Sequence, residues 1–393
     1  MTNKKKILFF ASRIPYPLEK GDKLRAYYQI KYLSKNCDIV LCCMSEEVLT
    51  EKAKEELSKY VSNIHVYKTS KISIALNMLI AGFMGYPFQV GYFFNTGAHF
   101  FFNKIIKEEK PDHIFVQLIR MAEYVTKSRT IPKSLDYMDT FSKGIERRME
   151  KASGIKKLIF KFEFIRLKRY EKRVFGWFDN TYIISEQDKA SFYFEESNQI
   201  KVSPNGVDHN FFQPKRKNEK KYDLVFTGNM SYPPNVNAVE YIAKELMPLL
   251  IERKPDIKLL IAGATPVNSV KALSNENIYV SGWLDDIRDA YNDASVFIAP
   301  LQIGTGLQNK LLEAMCMEVP CITSELANNA LKAKDKEEIL IGNTPKEYVN
   351  AVFELLENQE LNRKIIKNGK TFVTKTYNWN SITKNLEKDF FNN

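Results

Sequence analysis

The residues best suited to chemistry lie together in PLQIGTGLQNKLLEAM, Pro300 to Met315. The stretch SVFIAPLQ has the composition of a buried strand, GTG follows as a loop, and LQNKLLEAMCM carries helical spacing. A helix that begins behind glycines exposes free backbone N–H groups at the positive end of its dipole, which suits a phosphate. Lys310 falls about one turn into that helix and adds a full charge. Glu313, one further turn on, is acceptor-only when ionised. A carboxylate suits a pair of hydroxyls such as a ribose diol, so phosphate donors followed by a diol acceptor match a nucleoside diphosphate. The plainer alternative is a surface helix whose glycines only shape a turn, because short glycine loops are weak signals.

Such residues need elements to hold them. Short apolar runs (KKILFFAS, CDIVLCCM, DHIFVQL, SLDYMD, NTYIIS, YDLVFTG, IKLLIAG, NIYVSG, SVFIAP and PCITS) alternate with stretches of helical period. This alternation predicts an α/β fold: parallel sheets covered by helices on both faces, in two doubly wound domains. The boundary falls in KVSPNGVDHNFFQPKRKNEKKYD, whose Pro204, Asn205, Gly206 and Pro214 are turn formers. We divide the chain into 1–205 and 206–377, with a last amphipathic helix over about 378–393 packing back on the first domain. In parallel sheets ligands bind outside the carboxyl ends of the strands. Those ends carry Ser12-Arg13, Gln117 to Arg120, Asp139-Thr140, Gly228-Asn229, Gly263, Gly282-Trp283 and Gly304 to Gly306. Two domains presenting such edges to each other would enclose a cleft.

Composition narrows the function class. The five cysteines (Cys37, Cys42, Cys43, Cys316, Cys321) sit in apolar contexts without metal-ligand spacing and read as reduced, buried thiols of a cytosolic protein. The first residues, MTNKKKILFFASRIPYP, fit a first strand better than a signal peptide. The longest apolar stretch, Ile72 to Phe88, is interrupted by Asn77, glycines and Pro87, and is too short to span a bilayer. Charge is uneven: 1–205 holds 35 Lys+Arg against 23 Asp+Glu, whereas the remainder is nearly neutral. Residues 143–173 alone carry 12 basic residues and 4 acids. Such a field attracts anionic surfaces.

For catalysis the chain offers no Ser-His-Asp set and no metal cluster, and His65, His99, His113 and His209 are scattered. The candidates are strand-end residues of the first domain. Asp139 could act as a base, and Arg120 could orient a hydroxyl or stabilise a leaving group by charge. Gly21, Asp22 and Lys23 form a candidate phosphate or acceptor loop after the first strand, with an ordinary loop glycine as the alternative at Gly21.

The segments FTGNMSYPPNVNAVEYI, IAGATP and YVSGWLDDIRDAYNDASVFIAPLQIGTGLQNKLLEAMCMEVPCITS resemble the donor-binding domain of family-4 glycosyltransferases, more narrowly its bacterial exopolysaccharide sugar transferases. RIPYPLEKGDKLRAYYQIKYLSK and PNGVDHNFF fit the same group. The resemblance implies a GT-B fold, two Rossmann-like domains facing across a cleft. It implies sugar transfer from a nucleotide-sugar with retention of configuration, and no bound metal or other cofactor. Matched position by position, Glu313 is the second Glu of the family's Glu-x7-Glu motif and binds the ribose. Gly304, Thr305, Gly306 and Leu307 form the loop whose amides meet the diphosphate, Gly282 and Trp283 lie beside the base, and Gly228-Asn229 form the first donor loop. Three departures stand out. The first Glu of the motif is Thr305, the Arg and Lys of many relatives are missing from GNMSYPPNVNAV, and Met138 replaces a His before Asp139. Lys310 is the candidate for the missing charge.

The resemblance therefore implies a hexosyltransferase acting on a lipid-linked or oligosaccharide acceptor in exopolysaccharide, capsule or lipopolysaccharide assembly. Its place would be cytoplasmic, peripheral to the inner face of the plasma membrane. The segment KKLIFKFEFIRLKRYEKRVFGWF, basic and aromatic, would meet anionic lipid, with a plain domain helix as the alternative. A sugar-nucleotide epimerase of the same fold and a non-catalytic membrane- or nucleic-acid-binding protein are the competing functions. No nucleic-acid motif is present, and nucleic acid is not an expected partner.

Overall fold

The computed structural model describes residues 4–215, 219–304 and 306–391. They divide into two compact units, Met1–Pro204 with Trp379–Asn393, and Asn205–Asn378.

The first unit is built on seven strands: β1 (Lys6–Ala11), β2 (Asp38–Ser45), β3 (Asn63–Lys68), β4 (His113–Gln117), β5 (Lys133–Asp136), β6 (Asn180–Ile183) and β7 (Lys201–Val202). All pair in parallel, in the order β3-β2-β1-β4-β5-β6-β7. Successive strand residues point to opposite faces. In β1 and β2 both sets are apolar: Ile7, Phe9, Ile39 and Leu41 join one core cluster, and Leu8, Phe10, Val40 and Cys42 join the other. Burial on both faces is why these strands read as unbroken apolar runs. Its helices include α1 (Gly21–Leu33), α2 (Lys71–Phe83), α3 (Phe88–Phe93) and α4 (Gly154–Phe175).

The second unit has six parallel strands, β8 (Tyr222–Thr227), β9 (Leu259–Ala262), β10 (Ile278–Gly282), β11 (Ala294–Ala299), β12 (Cys321–Thr323) and β13 (Leu340–Ile341), in the order β10-β9-β8-β11-β12-β13. Around it lie α5 (Pro233–Tyr241), α6 (Asn309–Cys316), α7 (Pro345–Glu357) and α8 (Gln359–Thr376). After α8 the chain returns to the first unit as α9 (Trp379–Phe391). There Trp379 stacks on Tyr28 of α1 at 5.6 Å, and Phe390 stacks on His113 at 4.2 Å. His113 is thus a core residue, and burial pushes its pKa down to about 4.

Three strands lie outside the apolar runs of the sequence. β3 is an edge strand whose residues are at most half-buried, so NIHVYK has no continuous apolar character. β7 and β13 are two residues long, too short for a pattern. All five cysteines are buried free thiols.

Candidate active site

Each sheet reverses its strand order once, between β1 and β4 in the first unit and between β8 and β11 in the second. Ligands of open parallel sheets bind at such switch points, outside the carboxyl ends of the strands. The segments that leave these strands carry the candidate residues.

In the second unit, Gly228 follows β8 with φ +153°, and a Cβ there would lie 2.6 Å from Asn235 Nδ2 and 3.3 Å from Lys310 Nζ. Gly263, after β9, has φ +141°, and its Cβ would fall 1.8 Å from the Gly228 carbonyl oxygen. Gly263 N in turn donates to Gly282 O at 2.9 Å. The exits of β8 and β9 therefore approach at a distance that only glycine permits, and a backbone hydrogen bond ties the β10 exit to them. Asn229 is engaged by its own loop and by the one after β9: its Oδ1 accepts from Ser231 N (2.9 Å), Ser231 Oγ (2.7 Å) and Thr265 Oγ1 (2.7 Å). Trp283, next to Gly282, is 66% exposed.

The helix after β11 starts later than the sequence suggests. Gln308 is the N-cap and α6 opens at Asn309, so Gly304, Gly306 and Leu307 lie before the helix rather than in its first turn. Gly304 has φ +94°, Gln308 Nε2 donates to Gly306 O (2.8 Å), and Leu307 packs on the core. Thr305 lies outside the described residues. Lys310 sits in the first turn of α6. Its ammonium donates to Asn235 Oδ1 and stands 4.5 Å from the centre of the Phe226 ring. Asn235 Nδ2 also donates to Asn229 O (2.9 Å), so this one amide ties the first loop to Lys310. Protein crowds the ammonium despite some remaining solvent access, and this desolvation pushes its pKa down to about 7, with Glu313 pulling the other way. Lys310 therefore gives up its proton more readily than the surface lysine the sequence suggested.

One turn on, Glu313 Oε2 accepts from Tyr291 Oη at 2.8 Å. The Tyr291 hydroxyl is also 2.8 Å from Thr227 Oγ1 and 3.4 Å from Lys310 O. Burial raises the Glu313 carboxyl above its ordinary value, against the pull of Tyr291 and Lys310. Sequence reasoning had no signal for Tyr291, Thr227 or Asn235. The first two are single polar residues in apolar or mixed runs, and Asn235 looks like an ordinary residue after Pro233-Pro234.

In the first unit the candidate loop Gly21-Asp22-Lys23 is the first turn of α1. A Cβ at Gly21 meets nothing within 4 Å, so the protein itself does not require glycine there. Asp22 pairs with Arg13 (2.5 Å), and its carbonyl accepts from Gln117 Nε2 (2.9 Å). A fully buried ion pair, Arg25 Nε to Asp136 Oδ2 at 2.6 Å, pins α1 to β5, with Gln29 Nε2 on the same oxygen at 2.8 Å. The chain leaves β4 and β5 through residues of positive φ, Leu118 (68°) and Met138 (63°). Such backbone costs of order 1–3 kcal/mol each and persists only where the surroundings hold it. Asp136 Oδ1 does so for Met138 by accepting its N–H at 3.1 Å.

Beyond these two turns stand Arg120 and Asp139. Arg120 donates to Gln89 Oε1 (2.9 Å) and lies over the Phe93 and Phe141 rings (5.1 and 4.7 Å). Burial first, then the charge of Arg13, lowers its pKa to about 10, so it stays a cation at neutral pH. Asp139 is exposed. Surrounding protein raises its carboxyl while Arg147, Arg120 and Arg25 pull it down, and its solvent access makes the net rise of small energetic consequence. Arg120 and Asp139 feel each other's charge. Among the described residues no group of three or more His, Cys, Asp or Glu has metal-holding geometry.

Fold and site define a chain of two Rossmann-like domains, the GT-B fold. Over 98% of its length it superposes on sucrose-phosphate synthase from Thermosynechococcus elongatus, with TM-score 0.69, 13% identity and 98% of that chain covered. Anabaena HepE, solved in complex with UDP and glucose, gives TM-score 0.67 at 14% identity, with 98% of each chain covered. Residues 221–358, within the second unit, match the family model "Glycosyl transferases group 1". More particularly, the chain is similar to a Klebsiella pneumoniae protein described as an uncharacterized 44.6 kDa protein in the cps region. The two are 22% identical, over 98% of this chain and 99% of that one.

Proposed function

We propose that this protein is a retaining, metal-independent glycosyltransferase. It moves a hexosyl group from a nucleotide-sugar to a lipid-linked glycan acceptor during surface polysaccharide assembly, at the cytoplasmic face of the membrane. The observation that carries the reading is the Gly228–Asn235–Lys310–Glu313–Tyr291 constellation at the switch point of a glycosyl transferases group 1 domain. The UDP-bound neighbour supports a nucleotide-sugar donor, and the cps-region relative supports polysaccharide assembly.

In this reading the donor diphosphate lies on the amides of the Gly228 and Gly304–Leu307 loops and on the Lys310 ammonium. The ribose hydroxyls donate to Glu313, which Tyr291 holds in place, and the base lies against the exposed Trp283. β10 is three strands from β11, about 14 Å across the sheet edge, a span that suits an extended nucleoside diphosphate. The C1–O bond to the diphosphate breaks, and the acceptor oxygen bonds to C1 on the same face. The departing phosphate oxygen takes the acceptor proton, so no protein base is obligatory. Arg120 and Asp139 orient the acceptor hydroxyl.

A thermal-shift screen against UDP-, GDP- and other nucleotide-sugars tests the reading, because a bound donor stabilises the folded state by mass action. A positive donor is then assayed for transfer to glycan-lipid extracts with and without EDTA. Stabilisation by one nucleotide class and EDTA-resistant transfer are expected. No stabilisation by any of them overturns the proposal, and transfer abolished by EDTA overturns its metal independence.

A further inference from the structure

Two helices of the first unit turn apolar faces outward. On α2 these residues are Ile72, Leu76, Leu79, Ile80 and Phe83, spaced as one helical stripe, with Ile72 76% and Phe83 93% exposed. The opposite face of α2 is firmly seated. Ile74 and Ala81 are buried, Asn77 Nδ2 donates to Phe94 O (2.7 Å), and Asn95 Nδ2 donates to Ser73 Oγ (2.6 Å). Gly91 of α3 approaches so closely that a Cβ there would lie 2.4 Å from the Ala81 methyl. The apolar stripe therefore belongs to an ordered helix held by its other side.

The first half of α4 repeats the pattern. Ile155, Leu158, Ile159 and Phe162 are exposed, interleaved with exposed Lys156, Lys157 and Lys161. Among the described residues these three lysines make no ion pair, so their charge is not offset locally. The two helices adjoin. Arg166 donates to Gly82 O (2.8 Å), and Glu163 accepts from Phe88 N (2.8 Å) and Gln89 N (3.2 Å).

We propose that α2 and the first half of α4 form one docking surface for an anionic lipid bilayer. The inference deepens the reading of a membrane-anchored acceptor and rests on it for its purpose. No described helix is long and apolar enough to cross a membrane. The 13 residues of α2 span about 20 Å, so the helix lies in the interface plane with its stripe among the acyl chains. The α4 lysines reach the headgroups with their stems on the apolar layer. A second copy of the chain is a poorer occupant, because a symmetric contact would set these lysines against their own counterparts.

The test is co-sedimentation of the full chain, at low salt, with vesicles of phosphatidylcholine alone or of equal parts phosphatidylcholine and phosphatidylglycerol. Wild type is expected to partition at least about tenfold more strongly to the anionic vesicles. Leu79→Glu with Phe83→Glu, and separately Lys156→Glu with Lys157→Glu and Lys161→Glu, are each expected to lose at least about tenfold. Equal or absent binding of wild type, or either variant binding as wild type does, overturns the proposal. So does a dimer dissolved by these substitutions with no vesicle binding. Donor-induced thermal shifts on the same proteins are expected to be unchanged. Lost vesicle binding with an intact donor shift removes only this inference, whereas vesicle binding without any donor shift removes only the enzymatic reading.

Discussion

Lys310→Met makes opposite demands on stability and on binding. Desolvation takes the Lys310 pKa from 10.5 to about 7, a difference that corresponds to a ceiling of about 5 kcal/mol. The side chain keeps some water, and its contact with Phe226 and its hydrogen bond to the buried Asn235 amide recover part of the cost, which leaves about 1–3 kcal/mol. Methionine retains the apolar stem without the ammonium, so the variant is expected to melt about 3–8 °C higher in the transition of the second unit. The sign with pH follows from proton counts. Between about pH 7 and 10.5 the unfolded chain holds a proton on Lys310 that the native state has released, so wild-type stability rises with pH across that window. The advantage of the variant is therefore largest at and below pH 7 and shrinks toward pH 10. Donor affinity moves the other way. Losing a charge-assisted contact to phosphate weakens binding about 10- to 100-fold. In wild type, binding takes up a proton, so affinity falls by up to about tenfold per pH unit above pH 7. Calorimetric melting of both proteins from pH 6 to 10, with donor titrations in buffers of different ionisation enthalpy, reads all three effects. A variant less stable than wild type by a pH-independent margin, or one with unchanged donor affinity, would refute the reasoning.

Tyr291→Phe removes the donor to Glu313 and is expected to weaken nucleotide-sugar binding about 5- to 30-fold, measured by titration calorimetry, with about 1–2 kcal/mol lost in urea unfolding. Gly263→Ala places a Cβ 1.8 Å from the Gly228 carbonyl and is expected to destabilise the second unit by more than about 4 kcal/mol, visible as early proteolysis of residues 205–378. Gly21→Ala, at the start of α1 with open space around it, is expected to stabilise the protein by about 0.5–1 kcal/mol. If its activity is lost while it folds, a ligand needs that space. Arg25→Met leaves the Asp136 carboxylate buried without its cation and is expected to cost about 3–5 kcal/mol. The double variant Arg25→Met with Asp136→Leu should recover part of that in the same denaturant titration.

The order of apolar runs and helix-period stretches was enough to read two parallel sheets, because strands buried on both faces must be apolar at every position, as in β1 and β2. Local chemistry was legible too: GTG, Lys310 and Glu313 share one short segment, so their proximity is a matter of chain geometry alone. Local pattern failed at edges and short pairings. β3 has no buried face, and two-residue β7 and β13 owe their existence to the strands beside them. It failed also at the start of α6, which begins only at Asn309 although the helical period extends back to Leu307.

What only the tertiary structure decided is the state of the residues that sequence could name. The charge of Lys310 depends on Phe226 and on Asn235, 75 residues away along the chain, because desolvation is set by whatever fills the surrounding volume. The orientation of Glu313 depends on Tyr291, a partner from another element. The outward face of α2 was likewise invisible: an apolar helix has the same composition whether it faces a core or solvent, and only packing tells the two apart. Sequence determined which groups are present and how close the chain alone can bring them. The fold determined which are charged, which are held and which meet water, because those properties belong to the space around a residue and not to the residue.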